Sequence, residues 1–156
     1  MISLAVLALM LQTLRPSDPA VTIYSYLEGR RWQFAVSRTD LEQAPRWRST
    51  DDHPPLAPGA AVRSAEELFS KLFPALHKDQ WRVRVVTLQQ WLFPETWVYL
   101  VSFVGPGPCA DVVPSPGEPG CGSAGPDPEM RMVVLLNGHA VVPTSSIWTP
   151  TIQNRN

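Results

Sequence analysis

The hydrophobic residues of this chain cluster in several short runs, of which some alternate with polar positions at the period of a β-strand and others are almost wholly apolar. These runs are rich in β-branched and aromatic residues, as strands are. They cover residues 21–27, 31–37, 81–88, 97–104 and 130–136. Gly29 lies between the first two runs, and the pair Asn137 and Gly138 directly follows the last one, so both places have turn residues. The pattern therefore predicts antiparallel strands joined in part by tight turns.

A single segment has helical spacing instead. Pro58 suits the first turn of a helix, because the N–H that proline lacks would have no partner there. Pro74 is expected to end or kink the same helix. The apolar residues that recur at helical spacing are Ala61, Ala65, Leu68, Phe69 and Leu72. We predict an α+β fold, in which an antiparallel sheet of about four to six strands carries one main helix packed across one face.

The run at residues 81–88 alternates in the way of a half-buried strand. Trp81, Val83 and Val85 are expected to face the core. Arg82 and Arg84 are expected to face solvent.

The last two predicted strands are apolar on both faces. Trp97, Tyr99, Val101 and Phe103 share one face, whereas Leu100, Val133 and Leu135 lie on the other. Because one helix covers one side of a sheet, the second face needs a cover of its own. Three covers fit the pattern: a connector or terminus of the chain, a second copy, or a ligand or protein partner. Leu100, Val133 and Leu135 mark this candidate interaction face.

The length of 156 residues fits one domain. Residues 1–20 contain an apolar stretch with the length and composition of a signal-peptide core. This predicts export to the periplasm or the medium, with no integral membrane span after signal removal. The alternative is a segment that stays uncleaved as an anchor. The domain is expected at 21–143, with a Pro/Gly-rich insert at 105–129 and a C-terminal tail at 144–156.

Cys109 and Cys121 are the only cysteines, and both lie in the insert. In an exported protein we expect them to form a disulfide bond. Closing so short a loop is worth roughly 3 kcal/mol in the chain-entropy account. Two thiols without a nearby pair of Cys or His ligands do not favour a zinc site.

The charge pattern and the motifs exclude more functions than they support. A formal net charge of −1, with scattered arginines, disfavours nucleic acid as a partner. No phosphate-binding or nucleophile motif is present, so we predict neither a cofactor nor an enzyme. Asp51, Asp52 and His53 place two carboxylates beside an imidazole. These residue types suit a metal or acid–base site, but adjacent residues of an extended loop point in different directions.

Several packing and turn motifs resemble those of a group of small exported bacterial proteins of uncharacterised function. The segments that carry the resemblance are residues 31–36, 44–47, 54–58, 97–99 and 133–138. In shape, the order of hairpin, connector, helix and three-stranded meander is also similar to PepSY-like and cystatin-like domains. The resemblance implies the fold and export, and it carries no functional residue.

Two functions from different classes follow from these expectations. The favoured one is a binding or interaction module of the cell envelope, with a protein as its partner, that uses the open sheet face or an edge strand. The alternative is a small-ligand-binding protein or hydrolase with a pocket near Asp51, Asp52 and His53. Six tryptophans also suit stacking on sugars. Those in connectors, Trp47, Trp91 and Trp148, are expected to be partly exposed and more often to clamp loops than to bind ligands.

Overall fold

A computed structural model describes residues 19–76, 78–91, 93–106 and 128–148 of the chain. The described residues form six strands and two α-helices, with a short 3-10 turn at Lys78–Gln80. The helices are α1 (Arg38–Gln43) and α2 (Pro58–Leu72). The strands are β1 (Pro19–Leu27), β2 (Arg30–Ser37), β3 (Arg82–Gln90), β4 (Trp97–Val104), β5 (Glu129–Leu135) and β6 (Thr144–Ile147).

The strands form two antiparallel sheets of three strands each, with the orders β1-β2-β6 and β3-β4-β5. We call them the N-terminal sheet and the C-terminal sheet. The α+β class and the single main helix are confirmed. The prediction of one sheet with four to six strands is wrong, because the strands divide between two smaller sheets.

Ser25 lies at the junction between the two sheets. Strands β1 and β5 lie beside each other, but a side chain joins them in place of a backbone ladder. The backbone N–H of Arg131 donates to Ser25 Oγ at 2.8 Å, and Ser25 is buried at this junction. A serine hydroxyl can form hydrogen bonds with the backbone of a neighbouring strand at one residue, whereas a β-ladder would pair the backbone groups along the whole strand.

The first predicted hairpin is present, with a two-residue turn. Glu28 and Gly29 have φ values of 52° and 68°, the left-handed region that two-residue hairpins use for both central residues. The chain also reverses at Gly138, where φ is 86°. After that reversal, Ala140 bridges Val134 along β5.

Helix α2 begins at Pro58, as predicted, and ends before Pro74. Its buried residues are Ala61, Ala65, Leu68 and Phe69, on the predicted apolar face. Helix α1 was not predicted. Its first turn is held by a capping box, in which Ser37 Oγ accepts from the Asp40 N–H while the Asp40 carboxylate accepts from the Ser37 N–H.

Strand β3 departs from the predicted alternation. Its pairing with β4 shifts register between Val83 and Val85, so that Arg84 is an extra residue in the strand. Because a shift of one residue exchanges the two faces, Val85 is 51% exposed rather than buried. Val86 and Leu88 take over the half-buried positions.

Both faces of the β4–β5 pair are largely buried, as their apolar pattern requires. On the face opposite Tyr99, Val133 is 0% exposed, Leu135 is also buried and Leu100 is partly buried. The rest of the chain therefore already encloses two of the three residues that mark the predicted interaction face. Among the described residues, no helix combines the length and apolarity needed to cross a membrane.

Candidate functional site

Asp51, Asp52 and His53 lie in the connector before α2, and all three are exposed. The Asp51 carboxylate accepts from the Arg48 N–H at 3.2 Å, and the Asp51 N–H donates to the Arg48 carbonyl at 2.9 Å. Asp51 therefore closes a local turn. The structure places the three residues at the surface, where their side chains do not share a hydrogen bond within the described residues.

The connector is held to the domain at two points. The Trp47 N–H donates to the Glu95 carbonyl at 3.0 Å, and Arg48 Nε donates to Glu95 Oε1 at 2.7 Å. That hydrogen bond with Glu95 raises the pKa of the exposed Arg48 guanidinium. Further along, the Tyr99 hydroxyl donates to the Leu56 carbonyl at 2.8 Å, and burial raises the pKa of Tyr99. These contacts fix the connector against the turn between β3 and β4 and against the C-terminal sheet.

The three connector tryptophans differ in environment. Trp47 packs edge-to-face on Trp97 with ring centroids 5.0 Å apart, which is the clamping role expected of it. Trp91 is buried, so the expectation that it is partly exposed is wrong. Trp148 is 43% exposed, as expected, and its ring lies 5.0 Å from that of Tyr26.

Trp148 belongs to an exposed aromatic surface on the outer side of the N-terminal sheet. We call this surface the tyrosine face; it consists of Tyr24, Tyr26, Arg31, Gln33 and Trp148. Tyr24 lies opposite Gln33 in the β1–β2 register, and Tyr26 lies opposite Arg31. The Arg31 guanidinium carbon is 5.3 Å from the centroid of the Tyr24 ring, within the range of a cation–π contact.

The tyrosine face follows from the alternation of the first hairpin. Ser25, Leu27, Trp32, Phe34 and Val36 are buried on the inner side of the sheet. Residues between them must point outward, which leaves two tyrosines almost half exposed. The sequence contained this signal, since Tyr24 and Tyr26 are two residues apart. Trp148 could not be assigned to the same face, because it lies in the segment that was predicted to be a tail.

Strand β6 borders the tyrosine face and forms an open edge of its sheet. Its residues pair with Arg30–Gln33 of β2 on one side, and no described strand pairs with the other side. Every β6 residue is exposed, and Ile147 reaches 83% exposure. The Trp148 N–H donates to the Gly29 carbonyl at 3.0 Å, which fixes the end of β6 to the hairpin turn.

Cavities of about 640, 430 and 400 Å³ open on the described surface. The largest of these lies between α2 and the start of β3. Residues 51–53 line none of the three. Within the described ranges, no group of three or more His, Cys, Asp or Glu side chains is arranged to hold a metal ion.

Several predicted features lie outside the described residues. They include the apolar N-terminal segment, most of the insert, and Cys109 and Cys121 with their disulfide bond. The disulfide bond and the export signal stay predictions.

Comparisons with protein-family models, with curated proteins and with solved structures give no match for this chain. Its function must therefore be argued from its own surfaces.

Proposed function

We propose that this chain is an exported binding module of the cell envelope, and that it binds a protein partner through the tyrosine face and the adjoining open edge of β6. The observation that carries the proposal is the exposed cluster of two tyrosines, one tryptophan and one arginine beside an unpaired strand edge. Export rests on the sequence of residues 1–20 and on the resemblance to small exported proteins.

The composition of the tyrosine face is that of a protein interface. Tryptophan, tyrosine and arginine are the residue types that dominate binding energy at such interfaces, while acidic residues and lysine are depleted. Tyr24, Tyr26, Arg31 and Trp148 are of these three types. The rings are also held before binding, since Tyr26 packs on Trp148 and Tyr24 lies under Arg31. Less side-chain entropy is then lost when a partner arrives.

The edge of β6 defines how the partner would bind. An extended segment of a partner can pair with an open strand and place alternate side chains over the adjacent face. On this side the partner would meet apolar rings and one positive charge, that of Arg31. We therefore expect an extended segment that carries apolar or aromatic residues and at least one acidic residue opposite Arg31.

The test uses the full purified chain and three single variants. Tyr26→Ser and Trp148→Ser each remove a ring of the tyrosine face, and Val85→Thr removes an equally exposed apolar group from the edge of β3. The chain is immobilised, incubated with an envelope extract, and the captured protein is purified and titrated back. Truncating a central interface ring typically costs about 2 kcal/mol or more, roughly thirtyfold in affinity.

The proposal predicts that Tyr26→Ser and Trp148→Ser weaken the reconstituted complex by that amount and that Val85→Thr leaves it unchanged. Circular dichroism establishes that each variant is folded. Equal binding by all the variants would contradict the proposal. So would retention on purified cell-wall glycan without protein, or a dimer of the chain itself that the two substitutions dissolve.

A further inference from the structure

The cavity between helix α2 and the start of strand β3 is separate from the tyrosine face. Its volume is about 640 Å³, and no residue of the tyrosine face lines it. Pockets that hold small molecules span about 300–1,000 Å³ and combine an apolar lining with a few placed polar groups. The size of this cavity therefore suits a small molecule rather than a polypeptide surface.

Helix α2 lines the cavity with one stripe of residues, which consists of Val62, Glu66, Phe69 and Ser70. Residues three and four apart are neighbours on the surface of a helix, so these four side chains lie on the same side. The Ser70 hydroxyl donates to the Glu66 carbonyl at 2.7 Å, within the helix itself. Of the four, Glu66 is the one that carries a charge.

Aromatic rings form one wall of the cavity. Phe69 stacks on Phe103 of β4 with ring centroids 4.8 Å apart, and it lies 5.2 Å from the ring of Trp81. Phe69 and Phe103 are buried, whereas Trp81 is only partly buried. The wall therefore offers an accessible indole, backed by two phenyl rings, to an apolar or cationic group.

Strand β3 adds an apolar side chain to the cavity and directs its first arginine elsewhere. Val83 lies opposite Phe103 in the β3–β4 register, and Arg82 lies opposite Val104. Because successive residues of a strand point to opposite faces of a sheet, Val83 shares the face of Phe103 and the Arg82 side chain points to the other face. The guanidinium of Arg82 is thus directed away from the aromatic wall.

The cavity therefore presents a single negative charge. Glu66 forms no ion pair with any other residue of the described ranges, whereas the carboxylate of the adjacent Glu67 lies 2.7 Å from Lys71 Nζ. Arg63, one turn earlier on α2, does not line this cavity. A carboxylate beside an aromatic wall, with no cationic side chain directed at that wall, favours a positively charged ligand.

Gly105 fixes the position of Trp81. A Cβ atom at residue 105 would lie 2.5 Å from Cζ2 of the indole and 2.7 Å from Cε2, closer than such atoms approach. The indole thus packs directly on the backbone, in space that any side chain at position 105 would occupy. A glycine here is required by the close approach of the ring.

We propose that this cavity binds an organic ammonium ion with an apolar body, of the class of the arylalkylamines. The ammonium group pairs with Glu66, and the apolar body packs on the rings of Phe69 and Trp81. An ammonium group forms charge-assisted hydrogen bonds with a carboxylate, and a cation beside an aromatic ring gains a further attraction. An anion of the same shape would meet the charge of Glu66 and is excluded.

The probe is phenethylamine, which carries an ammonium group at neutral pH. It is titrated into the full chain by calorimetry, and the indole N–H resonance of Trp81 is followed by NMR. We expect saturable binding with a Kd of about 1 mM or tighter. Two analogues with the same ring isolate the charge, because 2-phenylethanol is neutral and 3-phenylpropionate is an anion. Each should bind at least about tenfold more weakly.

Matched variants assign the binding to this cavity. Glu66→Gln should weaken phenethylamine binding about tenfold, and Glu67→Gln, one residue along the same helix, should leave it unchanged. Trp81→Phe keeps a ring in the wall, should retain most of the affinity, and assigns the indole resonance. Trp81→Leu removes the ring and should weaken binding about fivefold.

Gly105→Ala tests the wall without changing any lining side chain. The added Cβ should displace the indole and weaken binding at least as much as Trp81→Leu does, in protein whose circular dichroism spectrum matches that of the parent chain. If Gly105→Ala does not fold, the comparison of Trp81→Phe with Trp81→Leu decides the role of the ring.

Four results would overturn the proposal: no saturable binding of phenethylamine, equal binding of either analogue, unchanged binding by Glu66→Gln, or an equal loss in Glu67→Gln. Equal affinity in Trp81→Leu and Trp81→Phe would also contradict it. None of these outcomes bears on the tyrosine face, whose residues lie on and beside the N-terminal sheet.

Discussion

The two open edges of the described molecule, β3 and β6, are built in opposite ways. Strand β3 is nine residues long, exposes Arg82 and Arg84, and contains a register shift next to Arg84. Strand β6 has four residues, no charged side chain and an Ile147 that is 83% exposed. Charges and bulges keep edge strands from pairing with other chains. The edge of β3 is therefore protected from pairing with another chain, whereas the shorter edge of β6 is available for such pairing.

The adjoining faces follow the same division. Beside β3, the outward residues are mainly polar or charged, such as Thr87 and Gln89. Beside β6, the outward residues are the rings and the arginine of the tyrosine face. One edge of the fold thus combines protection with a polar surface, while the other combines an open backbone with the residue types of binding sites. This difference is the reason for expecting the partner at β6 rather than at β3.

The largest expected effect tests whether strand β5, which lies between the two open edges, belongs to the buried core. Val133 is 0% exposed on β5, and Val85 is 51% exposed on β3. Val133→Asp would bury an unpaired charge at a cost of about 4 kcal/mol or more, which is most of the stability of a small domain. Val85→Asp is expected to change stability by less than about 0.5 kcal/mol. Urea unfolding followed by circular dichroism measures both.

Cooperative unfolding of Val133→Asp at nearly the parent midpoint would contradict the buried centre. The matched Val85→Asp variant controls for a general effect of the added charge on the stability of the chain.

A smaller effect concerns the junction of the two sheets. Ser25→Ala removes the acceptor of the Arg131 N–H and leaves that part-buried donor unpaired. The expected loss of stability is about 1–3 kcal/mol. Ser70→Ala is the control, because its hydroxyl donates to the Glu66 carbonyl within the exposed surface of α2 and should cost little. Thermal denaturation that treats the two variants alike would show that Ser25 does not join the sheets.

The hairpin turn that holds the end of β6 gives the next effect. Gly29 has a φ of 68°, and a Cβ added to it would meet no atom within 4 Å, so Gly29→Ala is opposed by backbone strain alone. The cost is about 1–2 kcal/mol. Gly59→Ala lies in the first turn of α2 in ordinary contact with Arg63, and should not destabilise the chain.

Hydrogen exchange extends the same test to β6. Because Gly29 accepts from the Trp148 N–H, exchange at the end of β6 should accelerate in Gly29→Ala and not in Gly59→Ala. Unchanged hydrogen exchange at the end of β6 in Gly29→Ala would show that the hairpin turn does not stabilise that strand.

The smallest expected effect is a pH dependence of stability that comes from the ion pair of Glu129 and Arg131. A hydrogen bond from Arg131 lowers the pKa of Glu129, with smaller contributions from Ser102 and from the charge of Arg84. Glu129 therefore adds stability above its unfolded pKa, near 4.5, and that stability is lost as the pH falls through the lower folded value. Arg131→Gln should flatten the fall in melting temperature between about pH 5 and 3. A melting temperature that falls with pH in Arg131→Gln as it does in the parent chain would contradict the pairing of Glu129 with Arg131.

The sequence predicted those parts of the fold that local pattern determines. Helix α2 and the first hairpin were recognisable because Pro58, Pro74 and Gly29 mark their ends. Strand β6 was missed, because Thr144–Ile147 is short, mostly polar and pairs with a strand far earlier in the chain. The bulge at Arg84 and the link at Ser25 were also beyond prediction, since each depends on a neighbouring strand rather than on its own segment.

The candidate site shows the same limit. Tyr24 and Tyr26 were visible as alternate residues, but which side of the strand faces solvent depends on what packs against Trp32 and Phe34. Conversely, Asp51, Asp52 and His53 attracted attention through their chemistry and lie exposed in a turn. A functional site inferred from residue types alone lacks the information on which side chains converge.

The most direct test of the account is site-specific photocrosslinking at the two edges. A photoreactive phenylalanine analogue replaces Tyr26 beside β6 in one protein and Val85 on β3 in another, and both are irradiated in intact cells. We predict a covalent adduct with one protein from position 26 and none from position 85. Equal adducts from both positions, adducts only between copies of the chain, or an adduct confined to position 85 would contradict the claim that β6 is the open edge.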